Sequence, residues 1–151
     1  MGTWGTGPFD TDDAGDMVAG LMAPIEKAVE GDAYHYSAAR CAVQFVLAAH
    51  GTDILGGPSV EPCFRALVKM RLDSEWLASW NQPKRIAKAL NAEIVDVLDK
   101  MQRCRGCVRK HGKAWLRELY TIGTQVISSP VPKPERRKLP RRVSRAKVRR
   151  K

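Results

Sequence analysis

The sequence lacks any long hydrophobic run. It contains no stretch of eighteen apolar residues, and no basic start followed by an apolar block opens the chain. These absences argue against a membrane span and a secretory signal, so we expect a cytoplasmic protein. Apolar residues still make up 44% of the 151 positions. That share is ordinary for a folded chain and predicts one domain with a hydrophobic core.

Strand-like alternation of apolar and polar residues is also missing. Apolar residues recur instead at spacings of three and four, which is the period of one buried helix face. We therefore predict an all-α fold, a single domain with orthogonal or bundle-like packing of five or six helices over residues 1–128. Residues 129–151 are expected to form a disordered basic tail.

The strongest helical pattern runs from Lys84 to about Arg103. Its apolar stripe comprises Ile86, Leu90, Ile94, Val97, Leu98 and Met101. Glycine, proline and capping residues then predict the other helices. These are residues 12–30, residues 32–50, a helix from Pro62, a short helix capped by Asp73, and a last helix from about Lys110 to Ser128. Three glycines and a proline in residues 51–61 predict a loop.

The second of these helices is the most apolar, and we expect it to lie centrally. Its predicted buried stripe comprises Tyr34, Ala38, Cys41, Ala42, Phe45, Val46 and Ala49. Three tryptophans, Trp76, Trp80 and Trp115, fall on predicted inward faces.

Catalytic motifs are absent from the sequence. His35, His50 and His111 stand apart from one another, and no serine, histidine and aspartate combination has a motif around it. We predict a non-catalytic binding protein without a cofactor.

The four cysteines are too few for a small secreted disulfide scaffold in a chain of this length. Cys104 and Cys107, followed by His111, have the spacing of half a metal site, but a tetrahedral zinc needs four ligands. No second pair follows, so Cys63 and His50 would have to converge on it by folding. A thioredoxin-like redox role would require the cysteine pair at the start of a helix that follows a strand, and no strand is predicted. We therefore predict two reduced thiols beside a break at Gly106, and no metal.

The net charge of +10 is unevenly divided. Residues 1–62 carry a net charge of −7, residues 63–130 carry +7, and residues 131–151 carry +10 from eleven bases and one acid. The helical body is thus neutral in sum, and the excess charge lies in the tail.

The tail is the best functional candidate in the sequence. Closely spaced cations, most of them arginine, suit the neutralisation of successive phosphates. The predicted nucleic-acid contacts in the tail are Arg136, Arg137, Lys138, Arg141, Arg142, Arg145, Lys147, Arg149, Arg150 and Lys151. The body is expected to extend them through Arg103, Arg105, Arg109 and Lys110, with Lys84, Arg85 and Lys88. Anionic lipid is the competing partner.

The first sixteen residues carry a resemblance. Glycines and a proline separate Trp4 and Phe9, and carboxylates then follow at a helix start. The matching positions are Met1, Gly2, Trp4, Gly5, Phe9, Asp12, Ala14 and Asp16. This opening resembles a family of short bacterial and phage proteins of unknown function that begin MGxWGxxxFxNDxAxD, with Thr11 in place of the asparagine. The resemblance implies a small all-helical domain and brings no activity or cofactor.

Two functions remain open from the sequence. The first is electrostatic binding of RNA or DNA through the arginine-rich tail. The alternative is a phage or defence-associated interaction module that binds a host protein through its helical body.

Overall fold

A computed structural model describes residues 12–49 and 60–131, and within these two ranges the chain forms six α-helices and no strand. The helices are α1 Asp12–Glu30, α2 Tyr36–Ala49, α3 Val60–Leu72, α4 Ser74–Ser79, α5 Pro83–Arg103 and α6 Arg105–Ser128. A 3₁₀ turn, Ala33–His35, connects α1 to α2. The predicted all-α fold is confirmed.

Glycine and aspartate end and begin the helices as predicted. Gly31 has a φ of +95°, and its N–H donates to the Ala28 carbonyl at 3.1 Å. The N–H of Asp32 donates to the Lys27 carbonyl at 3.0 Å, which completes the glycine stop of α1. Asp73 caps α4, since its side chain accepts from the Trp76 N–H at 2.8 Å.

The centre of the fold is α3 rather than α2, which corrects the sequence prediction. α3 packs against α1, α2, α5, α4 and α6. Its buried residues are Val60, Cys63, Phe64, Ala66, Leu67, Met70 and Arg71. Because it packs against all five other helices, α3 determines which of their faces are buried.

The buried stripe of α2 is one position out of phase with the prediction. Tyr34 and Phe45 are 89% and 64% exposed, whereas Tyr36 is buried. The other buried residues of α2 are Ala39, Ala42, Val43, Val46 and Leu47. The physical reason is that Tyr34 lies in the 3₁₀ turn, so a stripe counted from it does not follow the α-helical period that begins at Tyr36.

The start of α6 also differs from the prediction. Gly106 does not break the chain; α6 begins at Arg105, and Cys104 is the one residue between α5 and α6. The interruption comes at Gly112, whose φ of 84° and ψ of 165° are not helical. That backbone region is essentially restricted to glycine, so Gly112 kinks α6 just before its long second part.

Trp80 is a further correction, because its side chain is 38% exposed rather than inward. Trp76 and Trp115 are partly buried and pack against the core as predicted. Across residues 12–49 and 60–131, no helix combines the length and apolar character needed to cross a bilayer. The opening segment up to Thr11, residues 50–59 of the chain and residues 132–151 of the predicted tail lie outside the described residues.

Candidate nucleic-acid interface

The start of the basic tail is attached to the helical body through Arg71. This arginine is only 2% exposed and extends from α3. Its Nε donates to Asn91 Oδ1 on α5 at 2.9 Å, and its Nη2 donates to the backbone carbonyl of Ser129 at 2.7 Å. Burial lowers the pKa of Arg71, although arginine stays charged at neutral pH.

Ser129 closes the end of α6. Its N–H donates to the Val126 carbonyl at 3.1 Å, and its Oγ donates to the Gln125 carbonyl at 3.0 Å. Together with the bond from Arg71, these contacts fix the point at which the chain leaves the body. The described chain ends two residues later, at Val131, and the ten predicted tail contacts beyond it lie outside the described residues.

α5 and α6 run antiparallel, which determines where that exit lies. Tyr120 Oη, past the middle of α6, donates to Gln102 Oε1 at the end of α5 at 2.8 Å. Further along α6, Gly123 packs beside Leu98. The end of α6 therefore lies near the N-terminal half of α5, where Arg71 binds Asn91.

Lys84 and Lys88 flank this exit. Positions i, i+4 and i+7 share one face of an α-helix, so both lysines lie on the face of α5 that contains Asn91. Both are exposed, as is Arg85. The body thus presents cations beside the first residues of the basic tail.

A second group of cations surrounds the α5–α6 junction. Arg103, Arg105, Arg109 and Lys110 are all exposed there. Arg103 and Arg105 line an open groove of about 810 Å³ between α2 and the junction. Asp96 and Asp99 line the same groove, and Arg103 Nη2 lies 3.9 Å from Asp99 Oδ2. These carboxylates offset part of the positive charge.

The two groups of cations lie at opposite ends of α5. At 1.5 Å per residue, Lys84 and Arg103 are separated by about 28 Å along the helix axis. The structure therefore does not join the predicted body cations into one continuous surface. Lys84 and Lys88 lie at the tail exit, and the cations of the junction lie at the far end.

The junction itself is built by Cys104. Its N–H donates to the Lys100 carbonyl at 3.0 Å and ends α5. Its Sγ then accepts from the Cys107 N–H at 3.3 Å, as the N-cap of α6. One residue thus connects two helices, and Arg103 and Arg105 are its neighbours in the sequence.

In the described part of the chain, no three cysteine, histidine or acidic side chains converge. The structure therefore does not bring Cys104, Cys107 and His111 together with other ligands in a metal site. The His111 ring stacks on Trp115 with centroids 4.5 Å apart. Trp115 in turn donates from Nε1 to Glu61 Oε2 at 3.1 Å. This arrangement gives His111 a packing partner on α6.

Sequence reasoning missed Arg71 and Asn91. A signal for Arg71 was present, because it stands four residues after Leu67 and thus on the buried stripe of α3. An arginine at such a position needs buried acceptors. Which oxygens would provide them depends on how α5 and α6 pack against α3.

No protein-family model, curated protein or solved structure matches this chain. The resemblance of the first sixteen residues to the family of short bacterial and phage proteins stays a prediction.

Proposed function

We propose that this protein binds RNA or DNA electrostatically and has no catalytic role. The observation that carries the proposal is the concentration of eleven cations and one acid in residues 131–151. The Arg71–Ser129 contact supports it, because Arg71 also binds Asn91, and Asn91 shares its face of α5 with Lys84 and Lys88. A cytoplasmic location belongs to the same proposal.

The binding mechanism would be neutralisation of successive phosphates with release of their counterions. Arginine presents a planar fork of donors that matches phosphate oxygens. Residues 131–151 contain no aromatic side chain that could stack on a base. We therefore expect binding that depends strongly on salt and little on nucleotide sequence.

The test compares the full chain with a variant that ends at Val131, using fluorescence anisotropy on one single-stranded RNA and one DNA duplex. With several phosphate contacts, affinity should fall by roughly a thousandfold or more between about 50 and 200 mM salt. The truncated variant should lose most of the affinity. A chain with every tail arginine replaced by lysine keeps the charge and serves as the control. Undiminished binding by the truncated variant would overturn the proposal.

A protein partner bound by the helical body, as in a phage or defence-associated interaction module, is the second candidate. The observation in its favour is a groove of about 350 Å³ between α2, α4 and α5. Trp76 and Trp80 line it with Cys41, and the Trp80 ring meets the Trp76 ring edge to face at 5.6 Å. Exposed tryptophan is typical of interfaces. Partner capture that survives removal of the tail and is lost in Trp80→Ala would favour this candidate.

A further inference from the structure

Two thiols lie in the first turn of α6. Cys104 is the N-cap and Cys107 is the third residue of the helix, and the Cys104 Sγ accepts the Cys107 N–H at 3.3 Å. Both residues are partly exposed. Residues three apart on a helix have Cβ atoms roughly 5–6 Å apart, and a disulfide needs about 3.5–4.5 Å, so a small movement of the first turn closes the gap.

The two thiols differ in acidity. Burial opposes ionisation of Cys104, but hydrogen bonds from the Cys107 thiol and from the N–H groups of Cys107 and Gly106 outweigh it and lower the pKa of Cys104. Burial and the neighbouring Cys104 sulfur raise the pKa of Cys107 to about 11. Cys104 is thus the better nucleophile and Cys107 holds its proton.

The groove that Cys104 lines has a small excess of positive charge. Lys100, Arg103 and Arg105 line it with Asp96 and Asp99, which leaves one net positive charge to attract a small anionic reactant. A Cβ added at Gly106 would lie 3.7 Å from the Cys104 Sγ, so the glycine leaves that side of the sulfur uncovered. Small disulfides that carry carboxylates, such as oxidised glutathione, combine the required charge with the required oxidant.

From this geometry we propose that Cys104 and Cys107 form a redox-active dithiol, which exchanges with small anionic disulfides and closes to an intramolecular disulfide. This activity goes beyond the nucleic-acid binding proposed above.

The exchange has two steps. The Cys104 thiolate attacks one sulfur of the small disulfide, a mixed disulfide forms at Cys104, and the other half leaves as a thiolate that takes up a proton. Cys107 then loses its proton and attacks the Cys104 Sγ, which releases the second half as a thiolate. Two electrons pass from the protein dithiol to the small disulfide, which is reduced to two thiols.

The test uses the full chain with Cys41→Ser, since Cys41 is the other exposed thiol. The protein is equilibrated with mixtures of oxidised and reduced glutathione, quenched with acid, alkylated and analysed by peptide mass spectrometry. We expect Cys104 and Cys107 to become protected together, with the loss of two hydrogen masses from the peptide that contains both. Cys63 is fully buried, and burial raises its pKa to about 12, so it should stay reduced and report on folding.

Two serine variants separate the roles of the thiols. Cys107→Ser should accumulate glutathione at Cys104, because no second thiol resolves the mixed disulfide. Cys104→Ser should lose the reaction while keeping an N-cap oxygen for α6. The proposal is overturned if the pair stays reduced at every glutathione ratio. It is also overturned if glutathione adds to Cys104 in the Cys107→Ser variant no faster than it adds to Cys41 in a chain that keeps Cys41.

Discussion

Arg71 binds Ser129 across 58 positions of sequence, and the donor is the largest fully buried side chain in the described core. The same guanidinium binds Asn91, so one side chain connects α3, α5 and the end of α6. Both acceptors are neutral oxygens. The last turn of the described body is therefore fixed by a buried polar contact rather than by apolar packing alone.

Replacing Arg71 should destabilise the fold measurably. Arg71→Met keeps most of the apolar stem but leaves the Asn91 and Ser129 oxygens without this donor. Hydrogen bonds from charged groups contribute about 1.5–3 kcal/mol, so we expect a loss of about 2 kcal/mol in the free energy of unfolding. Chemical denaturation followed by circular dichroism measures it. Arg71→Lys should recover only part of the loss, because an ammonium cannot present the same fork to two acceptors. Unchanged stability in Arg71→Met would contradict a stabilising role for the Arg71 hydrogen bonds.

Gly123 permits the close approach of α6 to α5. A Cβ at this position would lie 2.9 Å from Leu98 Cδ1 and 3.6 Å from Ile94 Cγ2, both on buried side chains. Gly123→Ala should therefore cost about 1–3 kcal/mol through overpacking.

Gly20 in α1 provides the matched control for Gly123. A Cβ there would meet nothing within 4 Å, so Gly20→Ala should stabilise the protein by about 0.5–1 kcal/mol through helix propensity. If the denaturation midpoint of Gly123→Ala rises as that of Gly20→Ala does, the α5–α6 contact is less tight than the structure indicates.

Much of the fold could be predicted from local signals. Gly31, Asp32 and Asp73 mark helix ends through backbone and side-chain chemistry within a few residues, and the stripe of α5 follows one uninterrupted period. The phase of α2 could not be predicted this way, because the 3₁₀ turn before Tyr36 shifts the count. Assigning the break to Gly106 was wrong because the Cys104 side chain caps α6, which a glycine-based rule does not consider.

The candidate site was predictable as a list of cations but not as an arrangement. Composition identifies Arg103 and Lys84 equally well, since both belong to the basic second half of the chain. Their separation along α5 becomes apparent only once the length and direction of that helix are known. The Arg71–Ser129 contact depends on three helices at once, and no local pattern contains it.

Tyr36 makes stability sensitive to alkaline pH. Its buried hydroxyl faces the Asp73 carboxylate but makes no hydrogen bond of ordinary geometry. Burial is the larger cause and the negative charge of Asp73 the second, and together they raise the pKa of Tyr36 from 10.0 to about 12. A raised folded-state pKa contributes stability that is fully present below pH 10 and is lost as pH rises toward 12. The wild type should lose up to about 2 kcal/mol more than Tyr36→Phe over that interval.

Denaturation series at several pH values measure this difference. Phenylalanine keeps the ring that packs edge to face on Trp76 at 5.2 Å, so Tyr36→Phe should fold at neutral pH. Tyr34→Phe removes a hydroxyl from a side chain that is 89% exposed and serves as the control. Parallel pH profiles for the wild type and Tyr36→Phe would be inconsistent with a buried ionisable hydroxyl.

The cations at the tail exit should contribute more to nucleic-acid binding than those at the junction. Lys84 and Lys88 lie beside the Arg71-anchored start of the tail, so a strand held by the tail passes them first. Arg103 lies about 28 Å further along α5. It shares its groove with Asp96 and Asp99, which repel phosphate.

Two double variants remove the same charge from exposed positions. Lys84→Gln with Lys88→Gln changes the N-terminal part of α5, and Arg103→Gln with Arg109→Gln changes the α5–α6 junction. Each lost phosphate contact lowers the salt dependence by about 0.9 in the slope of log affinity against log salt. We expect the lysine pair to lower it by about 2 and the arginine pair by less. Anisotropy titrations at several salt concentrations measure both slopes on the same RNA. A larger effect of the arginine pair would place the bound strand along the α5–α6 junction, and the tail would then have to cross the length of α6 to reach it.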